Sequence, residues 1–108
     1  MGSKGYTERD WKLFKEKIAG WQEAYMQRLL DEYHALIVSD ETPSTKFWEL
    51  EKRLKHDKHL AGVMVTMARS EPLFNIRQLI LEGAITMDDL DEFSDELKER
   101  IGLALRNA

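Results

Sequence analysis

The stretch that decides the fold is Thr7–Val38, TERDWKLFKEKIAGWQEAYMQRLLDEYHALIV. Its large apolar side chains recur in steps of three or four residues, which is the period of an α-helix and not the period of two that a strand shows. Thr7 precedes them as a capping residue with Asp10 three positions later, and Tyr6 can pack onto Trp11. These signals predict one long amphipathic helix. Its apolar row is Trp11, Phe14, Ile18, Trp21, Tyr25, Leu29, Tyr33 and Leu36.

Gly20 lies inside this predicted helix, where glycine costs up to about 1 kcal/mol relative to alanine. The apolar row keeps its phase across Gly20, which two separate helices meeting there would have no reason to do. We therefore expect one continuous helix. In its second half Met26, Leu30 and Ile37 add a second apolar row, so this half should be buried on a broader arc than the first.

Further helical segments follow, separated by proline and glycine signals. A turn at Ser39–Thr45 precedes a second helix to about Lys58, whose inner face we expect to be Phe47, Leu50 and Leu54. Two more are expected at about 62–69 and 71–82, the latter ending at Gly83. The last opens at Thr86 with the capping pattern of the first and has the inner row Leu90, Phe93, Leu97, Ile101 and Leu105. The fold class predicted is all-α, a small bundle of four to five helices organised on the long N-terminal helix.

Composition favours a single domain of an ordinary soluble protein. The chain has 108 residues, of which 43% are apolar and 33% charged, and we divide it into a flexible N-terminus (1–6) and one helical domain (7–108). It has no cysteine, which excludes disulfides and thiolate chemistry and favours a cytoplasmic location. Its longest apolar-rich run, Leu60–Ala68, is too short to span a bilayer, so we expect no membrane partner.

The length of the first helix bears on assembly. Roughly 31 helical residues at about 1.5 Å each give about 46 Å, whereas a compact domain of this size is roughly 35 Å across. The aromatic row therefore needs either helices laid end to end along it or a second subunit. We expect a homodimer. Its predicted contact residues are Trp11, Phe14, Trp21 and Tyr25.

Charge is unevenly distributed in a chain whose net charge is −4. Residues 88–99 hold seven acids against one lysine, for a charge of −6. Carboxylates along a helix can imitate a row of phosphates and occupy a basic cleft on a nucleic-acid-binding partner, although the same acids also suit a first helical turn and a solvated face. The predicted acidic face is Asp88, Asp91, Glu92, Asp95 and Glu99.

A basic segment offers the alternative. Residues 52–58 hold four Lys or Arg against one Asp, for a charge of +3, and an aromatic residue precedes them on the same helix. An exposed tryptophan beside cations can stack a base or anchor a protein, but the more common arrangement is that it packs at the core edge under lysine stems. The alternative basic face is Trp48, Lys52, Arg53, Lys55 and Lys58.

Catalytic and metal-binding patterns are missing from the sequence. There is no Gly-x-Ser-x-Gly elbow, phosphate-binding glycine loop or dinucleotide fingerprint. His56 and His59 are three residues apart, but the spacing identifies no third metal ligand. The acidic run lacks the residue pattern of a calcium-binding loop. We expect no enzyme activity, no metal and no cofactor.

Four runs resemble short uncharacterised helical proteins of clostridia-type bacteria, many of them carried on mobile elements. The runs are Thr7–Phe14 (TERDWKLF), Trp21–Met26 (WQEAYM), Lys46–Arg53 (KFWELEKR) and Phe93–Glu99 (FSDELKE). The resemblance covers almost the whole chain and implies no active site. Separately, Leu79–Leu90 (LILEGAITMDDL) resembles the helical hairpin of SHOCT-type modules, a resemblance that implies oligomerisation.

These observations predict a non-catalytic protein-interaction module, dimeric and cytoplasmic. Its expected role is that of an inhibitor or accessory factor, for example of the anti-defence or anti-CRISPR kind, using the acidic helix against a basic nucleic-acid-binding protein. The alternative is a nucleic-acid-associated regulator that binds through the basic, Trp-containing second helix.

Overall fold

A computed structural model describes residues 5–107, and within this range the chain is all-α, without strands. The helices are α1 (Glu8–Ile37), α2 (Pro43–Asp57), α3 (Pro72–Leu81) and α4 (Asp95–Arg106), with a short 3-10 helix at Met87–Leu90 before α4. The predicted helical bundle on a long N-terminal helix is confirmed.

The first helix forms for the reasons visible in its sequence. Thr7 caps it, because the Asp10 N–H donates to the Thr7 hydroxyl at 3.1 Å and the Thr7 N–H donates to the Asp10 carboxylate at 2.8 Å. The helix continues through Gly20, as expected, for 30 residues and ends at Ile37, with Val38 as its C-cap. At about 1.5 Å per residue it is about 45 Å long.

The rest of the chain covers α1 in two consecutive parts. Beside its N-terminal half, α3, the 3-10 helix and α4 form the main core, while α2, Leu60 and Val63 lie beside its C-terminal half. The molecule measures 60 × 27 × 23 Å, with a radius of gyration of 16.7 Å, against about 13 Å for a compact domain of this length. The predicted end-to-end arrangement is therefore present, and it makes the molecule a rod.

The structure overturns the predicted dimer contacts. Trp11, Phe14 and Tyr25 expose only 6%, 0% and 7% of their surface, and Trp21 is half-buried with its ring stacked 6.3 Å from that of Phe93. The physical reason is that residues 61–107 fold back along α1, so its aromatic row is already covered by the same chain.

Two predicted helices are also corrected. Residues 64–68 are irregular, since Gly62 packs against the ring of Tyr25 and the Asn75 side-chain amide donates to the Thr66 carbonyl at 2.9 Å, which holds the backbone out of a helix. The last helix is split in two, because Ser94 starts a new helix by accepting the Leu97 N–H at 3.2 Å. As predicted, Gly83 ends α3 with a positive φ of 79°.

The predicted inner face of α2 and the N-terminal boundary also differ from the structure. Phe47 and Leu54 expose 63% and 47% of their surface, and only Leu50 of the three is half-buried. Gly5 is buried, and the Tyr6 hydroxyl donates to the Arg69 carbonyl, so these two residues belong to the packed domain. The remainder of the predicted flexible N-terminus, residues 1–4, lies outside the described residues.

Candidate interaction surface on the α1–α2 hairpin

The C-terminal half of α1 and α2 form a helical hairpin with a small core. Its buried apolar side chains are Tyr25, Leu29 and Tyr33, all from α1. Among the residues of α2, Asp57 alone is fully buried. The second helix therefore contributes little apolar burial, and polar contacts hold it in place.

Those polar contacts centre on one buried pair. The Tyr33 hydroxyl donates to Asp57 Oδ2 at 2.5 Å, and His56 Nδ1 lies 3.0 Å from Asp57 Oδ1. Beside them the Arg53 guanidinium pairs with Glu32 and lies 5.2 Å from the centre of the Tyr33 ring. These contacts hold the C-terminal end of α2 against α1, near the base of the hairpin.

Burial and the neighbouring carboxylate set the protonation of this pair. Burial raises the pKa of Tyr33 to about 12, and the hydrogen bond to Asp57 adds to the shift. For Asp57, burial acts to raise the pKa, but the hydrogen bonds from Tyr33 and His56 outweigh it and hold the pKa below its usual value. At neutral pH the pair is a neutral phenol donating to a carboxylate.

The hairpin exposes a continuous set of large apolar side chains. Leu30 and Ile37 are seven residues apart on α1, and Phe47 and Leu54 are seven apart on α2, so each pair lies on one side of its helix. These four residues, which we call the hairpin face, are 47–63% exposed. At its margin Val38 and Trp48 are 64% and 63% exposed.

Two apolar recesses open on the hairpin face. One, of about 190 Å³, lies near the base of the hairpin between α1, α2 and the following loop; its walls include Met26, Leu30, Tyr33, Leu54 and Val63. The other, of about 270 Å³, lies at the tip and is lined by Ile37, Pro43, Lys46, Phe47 and Leu50. The surface is therefore a groove with distinct pockets.

The predicted acidic face is divided among three elements. Asp88 lies in the 3-10 helix, Asp91 and Glu92 in the turn after it, and Asp95 and Glu99 in α4. All five are exposed, but they follow a bent path beside the N-terminal half of α1 and not one straight helix.

Two of these acids, Glu92 and Asp95, are already in ion pairs. Glu92 accepts from Lys17 Nζ at 2.8 Å, which holds the pKa of Glu92 below its usual value, and its backbone carbonyl accepts from Arg9 at 2.6 Å. Its contacts therefore tie the turn to α1. Asp95 lies 3.8 Å from Lys98 Nζ, but its side chain is 97% exposed, so this pair contributes little.

Only some of the charged residues of the predicted basic face are free to contact a partner. Arg53 is engaged with Glu32, and Lys55 pairs with Glu51 at 2.9 Å. Lys52 and Lys58 are exposed and form no ion pair within the described part of the chain. Trp48 does not pack at the core edge under lysine stems; its ring meets that of Phe47 edge-on at 5.0 Å.

Other classes of site find little support in residues 5–107. No group of three or more His, Asp or Glu side chains there could hold a metal ion, and none of the helices described is long and apolar enough to cross a membrane. No family model, curated protein or solved structure matches the chain. The hairpin face is therefore the strongest candidate site.

Sequence reasoning missed the hairpin face because it placed Phe47 and Leu54 on an inner surface. The signal that could have located it was the second apolar row of α1, with Leu30 and Ile37. That row lies beside the buried one, and a single short helix cannot cover both.

Proposed function

We propose that this chain is a non-catalytic protein-interaction module and that the hairpin face is its contact surface. The observation that carries the proposal is the amount of exposed apolar surface. At roughly 200 Å² for a fully exposed large side chain, the four residues of the hairpin face expose on the order of 400 Å². The largest apolar patch on a typical monomer is about 300–600 Å² and is often functional.

The shape and rigidity of the surface support the same proposal. The two recesses lie between helices, which suits an amphipathic helix or a second helical hairpin as the bound element. The Tyr33–Asp57 hydrogen bond and the Arg53–Glu32 ion pair hold α2 against α1. A partner would therefore bind a preformed groove and lose less entropy in ordering it.

An inhibitor or accessory role would use the other end of the rod as well. Asp88, Asp91 and Glu99 are exposed and form no ion pair within the described residues. Carboxylates gathered there would steer a basic nucleic-acid-binding protein toward the molecule and raise its association rate. Reversing two charges, with Asp91→Lys and Asp95→Lys, should slow the capture of such a partner and weaken its salt dependence.

Site-specific photocrosslinking tests the contact surface. A benzophenone amino acid placed at Phe47 should capture a partner in extracts of the source cells, because this side chain is the most exposed of the hairpin face. The same probe at Lys12, exposed on the N-terminal half of α1, is the matched control. Equal capture at both positions, or none at Phe47, would contradict the proposal.

A nucleic-acid-associated role is the second candidate, and the exposure of Trp48 favours it. Trp48 and Lys52 lie one helical turn apart on the outer side of α2, where a base could stack beside a phosphate contact. Binding to a random duplex should then fall steeply between low and physiological salt. Lys52→Glu should abolish this binding while Lys12→Glu preserves it; no binding at low salt excludes the role.

A further inference from the structure

We infer that the partner at the hairpin face is a second copy of this chain, bound through a two-fold axis with the two hairpins antiparallel. This inference rests on the proposed function, because it names the occupant of the same surface. It is based on two features of the hairpin face, a projecting side chain and an apolar recess.

The projecting side chain is Phe47. It is 63% exposed although it is a large aromatic residue, and the ring of Trp48 packs edge-on against it, with the ring centres 5.0 Å apart. Two helical turns further along the same side of α2 lies Leu54, at a distance of about 10 Å along the helix axis. Leu54 is part of the wall of the recess at the base of the hairpin.

That recess has the size and chemistry to receive a phenyl ring. Its volume is about 190 Å³, and a cavity of about 150 Å³ lined by aliphatic side chains is large enough to bind benzene. Its walls are Met26, Leu30, Leu54 and Val63, with the ring of Tyr33 beside them. Its other lining residues are Leu29, Asp57, whose carboxylate is already hydrogen-bonded to Tyr33 and His56, and the exposed Lys58. An aromatic ring from outside would pack on the apolar walls and on the methylene stem of Lys58, whose ammonium group can stay in water.

A single two-fold operation satisfies both features. The axis lies in the plane between two hairpin faces, perpendicular to the helices and level with Leu50. Rotation about it reverses the helix direction and sets each Phe47 opposite the recess of the other copy. The same operation sets Ile37 of one copy opposite Leu30 of the other. Such an isologous contact is the usual form of a homodimer interface. An unrelated helix could fill the recess, but it would leave Phe47 projecting without a pocket.

The area agrees with a stable dimer. A standard interface buries about 800 Å² on each partner, more than half of it apolar. At roughly 200 Å² for a fully exposed large side chain, the four residues of the hairpin face supply on the order of 400 Å² of apolar surface per copy. The charged rim, which includes Lys46 and Lys58, supplies polar area around it. The product is a four-helix layer, in which α2 gains the apolar burial that it lacks within one chain.

Analytical ultracentrifugation tests the inference. The full chain should dimerise with a dissociation constant in the micromolar range or tighter. Phe47→Ala should raise that constant at least about 30-fold, as expected for a central aromatic anchor, and Leu30→Glu should make the protein monomeric. Leu103→Glu, at a side chain 50% exposed on α4, should leave the dimer unchanged. Circular dichroism establishes that each variant is folded.

The absence of cysteine permits a direct test of the axis. Because the chain contains none, His34→Cys introduces one thiol on exposed α1, level with the proposed axis. A short bismaleimide should join two such chains, whereas Lys12→Cys should give no product. A monomeric full chain, or a dimer unaffected by Phe47→Ala and Leu30→Glu, would overturn the inference. If the photoprobe at Phe47 then captures a different protein, the proposed function stands; if it captures nothing, both fail.

Discussion

The carboxylate of Asp10 accepts two hydrogen bonds from Ser94, a residue 84 positions later: one from its backbone N–H at 2.8 Å and one from its hydroxyl at 2.5 Å. The same carboxylate accepts the Thr7 N–H, and the Ser94 hydroxyl accepts the Leu97 N–H. One buried acid therefore completes the caps of α1 and α4 and joins their N-terminal ends. The rod depends on this junction at one end and on the Tyr33–Asp57 pair near the other.

Removing the Asp10 carboxylate should destabilise the protein strongly. Asp10→Ala leaves the Thr7 and Ser94 donors without their acceptor in a buried site, so we expect the free energy of unfolding to fall by about 2–4 kcal/mol. Urea denaturation followed by circular dichroism measures the loss. Asp40→Ala, at an exposed acid in the turn before α2, should change stability by no more than about 0.5 kcal/mol.

The same carboxylate should make stability depend on acid pH. Burial acts to raise the pKa of Asp10, but the hydrogen bonds from Ser94 and Thr7 outweigh it and hold the pKa below the ordinary value of 3.8. A lowered folded-state pKa stabilises the protein above the unfolded-state pKa, and this contribution is lost as the pH falls from about 4 through the folded-state value. Urea titrations at pH 6 and below pH 4 should show a smaller loss for Asp10→Ala than for the unmodified chain. An identical loss in both would contradict the assignment.

Tyr33 should have the opposite effect at alkaline pH. Its pKa is raised to about 12 by burial and by Asp57, so the folded state holds the phenol proton more tightly than the unfolded state does. The resulting stability is present below about pH 10 and is lost as the pH rises toward 12. Tyrosinate absorbance should show a titration near pH 12 that Tyr33→Phe removes, separate from that of Tyr25, whose pKa is also raised by burial. If Tyr33→Phe leaves that titration in place, the pKa belongs to another tyrosine.

The sequence predicts the secondary-structure elements of this fold better than it predicts the contacts between them. The capping residues Thr7 and Asp10, the phase of the apolar row and Gly83 are local signals, and each predicts the element that the structure contains. The break before α4 depends on Ser94 meeting Asp10 across the fold. Residues so far apart in the chain form no periodic pattern, so a single sequence does not reveal that they pair.

The candidate site was harder to predict for a related reason. The apolar spacing of Phe47, Leu50 and Leu54 identifies an amphipathic helix, but an amphipathic pattern does not say what covers the apolar side. Only the folded chain shows that α1 has too little free surface to bury all three. The aromatic residues of α1 were misassigned in the opposite sense, since they were expected at a subunit interface and are buried within one chain. The sequence shows that the chain from Ala61 onward is long enough to cover α1, but not where along α1 it packs.

Two glycines provide a matched test of the packing at mid-length. Gly62 lies against the ring of Tyr25, where an added Cβ would be 2.2 Å from Cδ2, whereas a Cβ at Gly20 would have no atom within 4 Å. We expect Gly62→Ala to lower the free energy of unfolding by about 1–3 kcal/mol, because Tyr25 must move out of the smaller cluster. Gly20→Ala should raise it by up to about 1 kcal/mol, because alanine favours the helix interior. Thermal and urea denaturation of both variants measure the two changes, and a stabilising Gly62→Ala would show that the loop does not pack on Tyr25. Since Tyr25 lies beside Leu29, Gly62→Ala should also weaken dimerisation through the hairpin face, while Gly20→Ala should leave it unchanged.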